Sequence, residues 1–98
     1  MEIVKNRDGT TLLLAITGRL DTLTAPQFEE NVKGDLDGIS KAELDFAGVE
    51  YISSAGLRSL LSLQKKIGGK EAVVVKNANE VVKEIFAVTG FSKVLTIA

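Results

Sequence analysis

Two adjacent hydroxyls, Ser53 and Ser54, stand where helical periodicity begins, and they are followed by two residues with almost no side chain, Ala55 and Gly56. Over Ala55 to Ile67, Leu57, Leu60, Leu61, Leu63 and Ile67 share one half of a helical wheel, while Arg58, Ser59, Ser62, Lys65 and Lys66 fill the other. An amphipathic helix is therefore predicted to start at or just after the serine pair. Two chemistries fit a serine there. It can cap, its oxygen accepting from a free amide of the first turn. It can also carry a phosphate, because a helix N-terminus offers unpaired N–H groups and the positive end of the dipole. The residue three after Ser54 is Leu57, so no Glu or Gln closes a capping box over the hydroxyl. Glycine in a first turn costs about 1 kcal/mol relative to alanine, which suggests that Gly56 is there for close approach to the backbone. The residues alone leave the cap and the phosphate acceptor both open.

Other chemistries lack parts. The 98 residues contain no Cys and no His, which removes thiolates, disulfides, the commonest general base and the commonest metal ligand. A Ser-Lys pair would need a lysine near Ser54 that the sequence does not place there. Asp45 stands where a phosphoacceptor aspartate would be sought, but no acidic pair follows the first strand to hold Mg²⁺, so it reads as a structural carboxylate. Neither an enzyme nor a cofactor is expected. A net charge of -1 with both signs interspersed gives no footprint for nucleic acid or an anionic membrane. No apolar run approaches a membrane span, and no signal-peptide layout is visible, so a cytoplasmic, monomeric protein is expected.

The elements that must position these residues can be read in order, as one domain over residues 1–98. Glu2 to Arg7 and Thr11 to Thr17 flank Asp8-Gly9 and predict a hairpin. The second arm, Leu12-Leu13-Leu14-Ala15-Ile16, is so continuously apolar that it should be covered on both sides or lie inside the sheet. Thr24-Ala25-Pro26-Gln27 predicts a helix start, with Thr24 as cap and Gln27 as its reciprocal partner. Ala42 to Phe46 is a short strand that loosens at Gly48 and feeds the serine stretch. Gly68-Gly69 stops the central helix, and Gln64 on its apolar face is expected to bond a backbone group or reach the rim.

Glu71 to Asn77 is a buried β-branched strand, and Asn79 caps a third helix with an apolar set of Val81, Val82, Ile85, Phe86 and Val88. Gly90 is placed for a left-handed C-cap with Phe91 folding back on Phe86, and Val94 to Ile97 is a last strand. The order β-β-α-β-α-β-α-β predicts an α/β fold: a mostly parallel mixed sheet with helices packed against it. Functional loops gather at the carboxyl ends of such strands, so the turns at Asp21, at Ser53-Ser54 and at Asn77 should share one edge.

The hairpin start, Gly18-Arg19-Leu20-Asp21, Leu44-Asp45-Phe46 running into Val49, and Ser53-Ser54-Ala55-Gly56-Leu57 together resemble the bacterial anti-sigma factor antagonists of the STAS domain family. The resemblance implies a non-enzymatic partner switch. An anti-sigma factor that is also a serine kinase phosphorylates the serine two residues before the glycine, here Ser54, and a metal-dependent serine phosphatase reverses it. Asp21 falls on the family's aspartate after the second strand, and the kinase-facing surface would comprise Asp21, Ser53, Ser54, Gly56 and Arg58. The sequence departs from the family at Ser53, where members often carry Asp, which leaves Ser53 as an alternate acceptor. Members commonly end with a further helix, whereas the last element predicted here is the strand ending at Ile97. The same family resemblance also admits a STAS subunit of a membrane transport system, or an adaptor in a sensory assembly.

Overall fold

The computed structural model describes residues 1–98 as a five-stranded sheet in the order β1-β2-β3-β4-β5 with three α-helices. Strands β1 (Glu2–Asp8) and β2 (Thr11–Leu20) are antiparallel, while β3 (Lys41–Ile52), β4 (Val73–Lys76) and β5 (Thr96–Ile97) continue parallel to β2. The hairpin turn lies on Gly9-Thr10, one residue later than Asp8-Gly9, because Asp8 still pairs with Thr11; Gly9 supplies the positive φ of 63°. Helices α1 (Ala25–Val32), α2 (Ser54–Ile67) and α3 (Glu80–Val88) occupy the crossovers.

Each parallel strand adds on the same side of the last, so right-handed crossovers all run over one face of the sheet. Leu12, Leu14, Ile16, Ala42, Leu44, Phe46, Val73 and Val75 point into that face and meet Phe28, Val32, Leu57, Leu60, Leu63, Val82 and Phe86 from the helices. The other face has no helix. β2 is thus interior in the sheet but not covered on both sides, as Leu13 and Ala15 are only half-buried and Val4 beside them is 60% exposed.

β3 is longer than the expected strand ending at Phe46. It carries two irregularities against β2, one between the pairs Ala15↔Asp45 and Thr17↔Gly48 and one between Gly18↔Val49 and Arg19↔Tyr51. Each leaves one extra residue in β3, as a bulge does. The inward positions accordingly run Ala42, Leu44, Phe46, then Val49 and Ile52, with a step of three in place of two. Gly48 permits the first crossing, since a Cβ there would lie 2.6 Å from Thr17 Cγ2. β4 pairs only with Ala42 to Asp45, so the β2–β3 pair runs on alone to Leu20 and Ile52. Asn79 supports that overhang: its Oδ1 accepts from Val82 N at 2.8 Å, capping α3, while Nδ2 donates to Val49 O at 3.1 Å.

Several local expectations change. Thr24 occupies the N-cap position of α1 as expected, but its side chain makes no cap bond and Gln27 makes no reciprocal one; the Thr24 hydroxyl instead donates to Arg19 O at 2.7 Å and accepts from Asp21 N at 2.9 Å. On α3, only Val82 and Phe86 are buried, Ile85 is half-buried, and Val81 and Val88 are 57% and 72% exposed. The strand after Gly90 shrinks to Thr96–Ile97, because Phe91–Lys93 form a 3₁₀ turn that continues from the left-handed Gly90. Gln64 ties α2 to β4, accepting from Val73 N at 2.9 Å and donating to Gly69 O at 3.3 Å.

Candidate functional site

The tip of the β2–β3 overhang is where α2 begins. Ser53 is its N-cap, in extended conformation, and Ser54 is the first helical residue. Ser53 N donates to Leu20 O at 2.9 Å, and the Ser53 carbonyl receives Leu57 N at 2.9 Å. The Ser53 hydroxyl accepts from Gly56 N at 3.4 Å, a long bond, and the residue is half-buried. Ser54 is exposed, and its hydroxyl makes no hydrogen bond. The two serines therefore differ in their surroundings: Ser53 caps, and Ser54 presents a free hydroxyl to solvent.

Gly56 is buried, and its place in the site is architectural. A Cβ there would fall 2.6 Å from Leu20 O, 2.7 Å from Ile52 Cγ1 and 3.0 Å from Leu20 Cγ. Its lack of a side chain lets the first turn of α2 rest directly on the strand ends, so it offers no surface of its own to a partner. Arg58 lies one turn after Ser54, exposed, with no ion pair or hydrogen bond.

Across the edge, Leu20 pairs with Ile52, which sets Asp21 beside Ser53. Asp21 closes a tight turn: its Oδ1 accepts from Leu23 N at 3.0 Å and Thr24 N at 3.1 Å, and Oδ2 lies 3.6 Å from Arg19 Nε. Hydrogen bonding from the Thr24 amide, reinforced by Leu23 and by Arg19, holds the Asp21 carboxyl below the ordinary carboxylate range, so it is a fixed negative charge at neutral pH. Leu23 in this turn is 82% exposed, the most solvent-accessible of the large apolar residues that face water. Arg19 also lies over the Tyr51 ring, 4.9 Å from its centroid. Sequence reasoning overlooked Leu23 and the Arg19–Tyr51 pair as surface features. For Leu23 the signal was an apolar residue inside a polar turn; the Arg19–Tyr51 pair depends on the bulged β2–β3 register and left none.

Asn77 does not join this edge. β4 stops opposite Asp45, well short of the tip, and Asn77 Nδ2 donates to Asp45 Oδ1 at 3.0 Å. That bond, with one from Ala47 N at 3.0 Å, holds the Asp45 carboxyl below its ordinary range and gives it a structural role on the open face. No helix is long and apolar enough to cross a membrane.

Comparison with known proteins places this geometry. BtrV of Bordetella bronchiseptica, named as a candidate anti-sigma factor antagonist, is 27% identical over 100 residues, covering 100% of this chain and 86% of its own. An anti-sigma factor antagonist from Mycobacterium paratuberculosis superimposes with a TM-score of 0.86 at 21% identity, over 98% of this chain and 83% of that one. The anti-sigma factor antagonist SpoIIAA in its unphosphorylated form gives 0.82 at 14% identity, over 99% and 88%. A family model described as "Mlab, STAS domain" matches residues 3–96. The chain belongs to the STAS domain family.

Proposed function

We propose that this protein is an anti-sigma factor antagonist that binds a kinase-type anti-sigma factor through the edge carrying Asp21, Ser54 and Arg58, and that phosphorylation of Ser54 switches it off. The observation that carries the reading is the division of labour at the serine pair, where one hydroxyl is spent on the cap and the next is exposed and unbonded. The likeness to anti-sigma factor antagonists supports it, as does the existence of SpoIIAA in unphosphorylated and phosphorylated forms.

Phosphate on Ser54 adds about -1.5 to -2 charges at pH 7. Within the chain it would meet the amides of the first turn, of which Leu57 N–H is already committed to the Ser53 carbonyl. Gly56 N–H already donates to the Ser53 hydroxyl, so the amides of Ser54 and Ala55 are the remaining donors. Across an interface the same phosphate would have to be desolvated beside the fixed charge of Asp21. Like-charge juxtaposition costs several kcal/mol, and about 2.7 kcal/mol is a hundredfold loss of affinity. No change of fold is required. A serine phosphatase would restore docking.

A titration of a kinase-type anti-sigma factor with native, Ser54→Ala and Ser54-phosphorylated protein tests this. The native and Ser54→Ala proteins should bind alike and the phosphoprotein at least about a hundredfold more weakly; equal binding by all three removes the mechanism. Membership of the STAS domain family is equally compatible with a second reading, a binding subunit of a transport system or sensory assembly that uses the same edge unmodified. In that case a pull-down recovers a non-kinase partner and Ser54 stays unmodified.

A further inference from the structure

A phosphate on Ser54 acts outward in the mechanism above, yet the chain holds an unpaired cation placed to receive the phosphate itself. Ser54 and Arg58 are four residues apart at the start of α2, both exposed, and Arg58 has no partner in the unmodified protein. Helical residues at that spacing have Cβ atoms about 5–6 Å apart, and helical side chains lean toward the N-terminus, so a phosphate at position 54 lies within reach of the flexible Arg58 side chain. The order is the favourable one, with the anion N-terminal to the cation. A guanidinium also matches phosphate geometry with two parallel N–H donors, which the point charge of a lysine cannot supply.

We infer that Arg58 is the intramolecular counter-ion of phosphorylated Ser54, clasping the phosphate within the first turn of α2. The inference deepens the proposed function and rests on Ser54 as the modified residue. Its consequence is that modification changes the docking surface twice, adding a dianion and withdrawing Arg58 from any partner. The helix amides are not the basis of this inference; they are present whatever residue stands at position 58.

The test uses full-length protein with phosphoserine installed directly at position 54 by genetic-code expansion, so that no kinase is needed. The second ionisation of the phosphate is followed by ³¹P NMR in the Arg58 protein, in Arg58→Gln and in Arg58→Lys. Arg19, Asp21 and Glu50, the other charged groups near this edge, are unchanged across the series, so their influence cancels. Arg58 should lower the phosphate pKa by roughly 0.3–0.7 unit relative to Arg58→Gln, from the usual strength of a helical ion pair doubled for a charge-assisted bidentate contact. Arg58→Lys should fall between. The Arg58 Nε–H resonance should also shift on phosphorylation. Identical phosphate titrations in the Arg58 protein and in Arg58→Gln would overturn the clasp. Failure of a kinase to mark Ser54 would instead count against the proposed function and leave this measurement standing.

Discussion

Replacing Gly56 by alanine sets two opposed effects against each other at the base of the serine site. In an ordinary helix interior the change stabilises by about 1 kcal/mol. Here the new methyl would sit 2.6 Å from Leu20 O and 2.7 Å from Ile52 Cγ1. Overpacking of a tight interior costs about 1–3 kcal/mol. The nearest atom is a backbone carbonyl, which no rotamer change can move, and it already accepts from Ser53 N at 2.9 Å. Lifting the helix to make room would strain that bond, at about 0.5–1.5 kcal/mol. The sum is a net loss of about 0.5–3.5 kcal/mol. At about 2 kcal/mol, the thermal midpoint of a domain this size falls by about 8–16 °C. Urea unfolding monitored by circular dichroism gives the free energy directly. Gly48→Ala is the comparison: its Cβ would meet Thr17 Cγ2 at 2.6 Å, on an exposed side chain that can rotate, but also Thr17 Cβ at 3.1 Å and Ile16 O at 3.3 Å, so it should cost less than Gly56→Ala without being neutral. A Gly56→Ala protein as stable as the native one, or more so, would refute the argument that this glycine exists for close approach.

Three further outcomes follow from the same geometry. Ser53→Ala should destabilise by about 0.5–1 kcal/mol, the low end for a lost cap because its bond is long, whereas Ser54→Ala should be neutral or slightly stabilising, since Ala is the better helix former; paired urea titrations check the order. Asn79→Asp should keep the α3 cap but lose the donation to Val49 O, costing about 0.5–1.5 kcal/mol, with amide exchange at the β3 tip rising with it. Asp21, Glu43 and Asp45 all have lowered carboxyl pKa values, held respectively by the Thr24 amide, Lys76 and Asn77. A folded-state pKa below the unfolded one means that the unfolded chain binds more protons in between. Their stabilisation is therefore complete above about pH 4–4.5 and fades as pH falls through the folded-state values. Urea midpoints measured from pH 7 to pH 3 should drop most steeply below pH 4, and Asp45→Asn should flatten that drop.

Much of this was legible in the residues because local chemistry decides it. Gly9, Gly68 and Gly90 take positive φ at the turns and helix ends where the sequence puts them, and Asn79 caps α3. The alternation of strand and helix fixed the parallel sheet, and the resemblance around Ser53-Ser54-Ala55-Gly56-Leu57 pointed to the family that the comparisons show. What escaped depends on partners far away in sequence. The extra residues in β3 are a property of its pairing with β2, and they carry Ser53 past the end of β4 so that Asn77 is left behind at Asp45. Periodicity counted Val81 and Val88 as core because it measures the width of an apolar stripe and not what lies beneath it. With β5 only two residues long, little sheet lies under that side of α3. Assigning the cap to Ser53 needed a ψ of 177° at that residue, which no propensity distinguishes from Ser54.

The central claim is that Ser54, and not its neighbour, is the hydroxyl on which charge is written. Incubation of the native protein with a kinase-type anti-sigma factor and ATP, followed by fragmentation mass spectrometry of the peptide spanning both serines, reads it directly. The account predicts one phosphate, on Ser54, and none in Ser54→Ala. Phosphate on Ser53, or modification undiminished in Ser54→Ala, would contradict it.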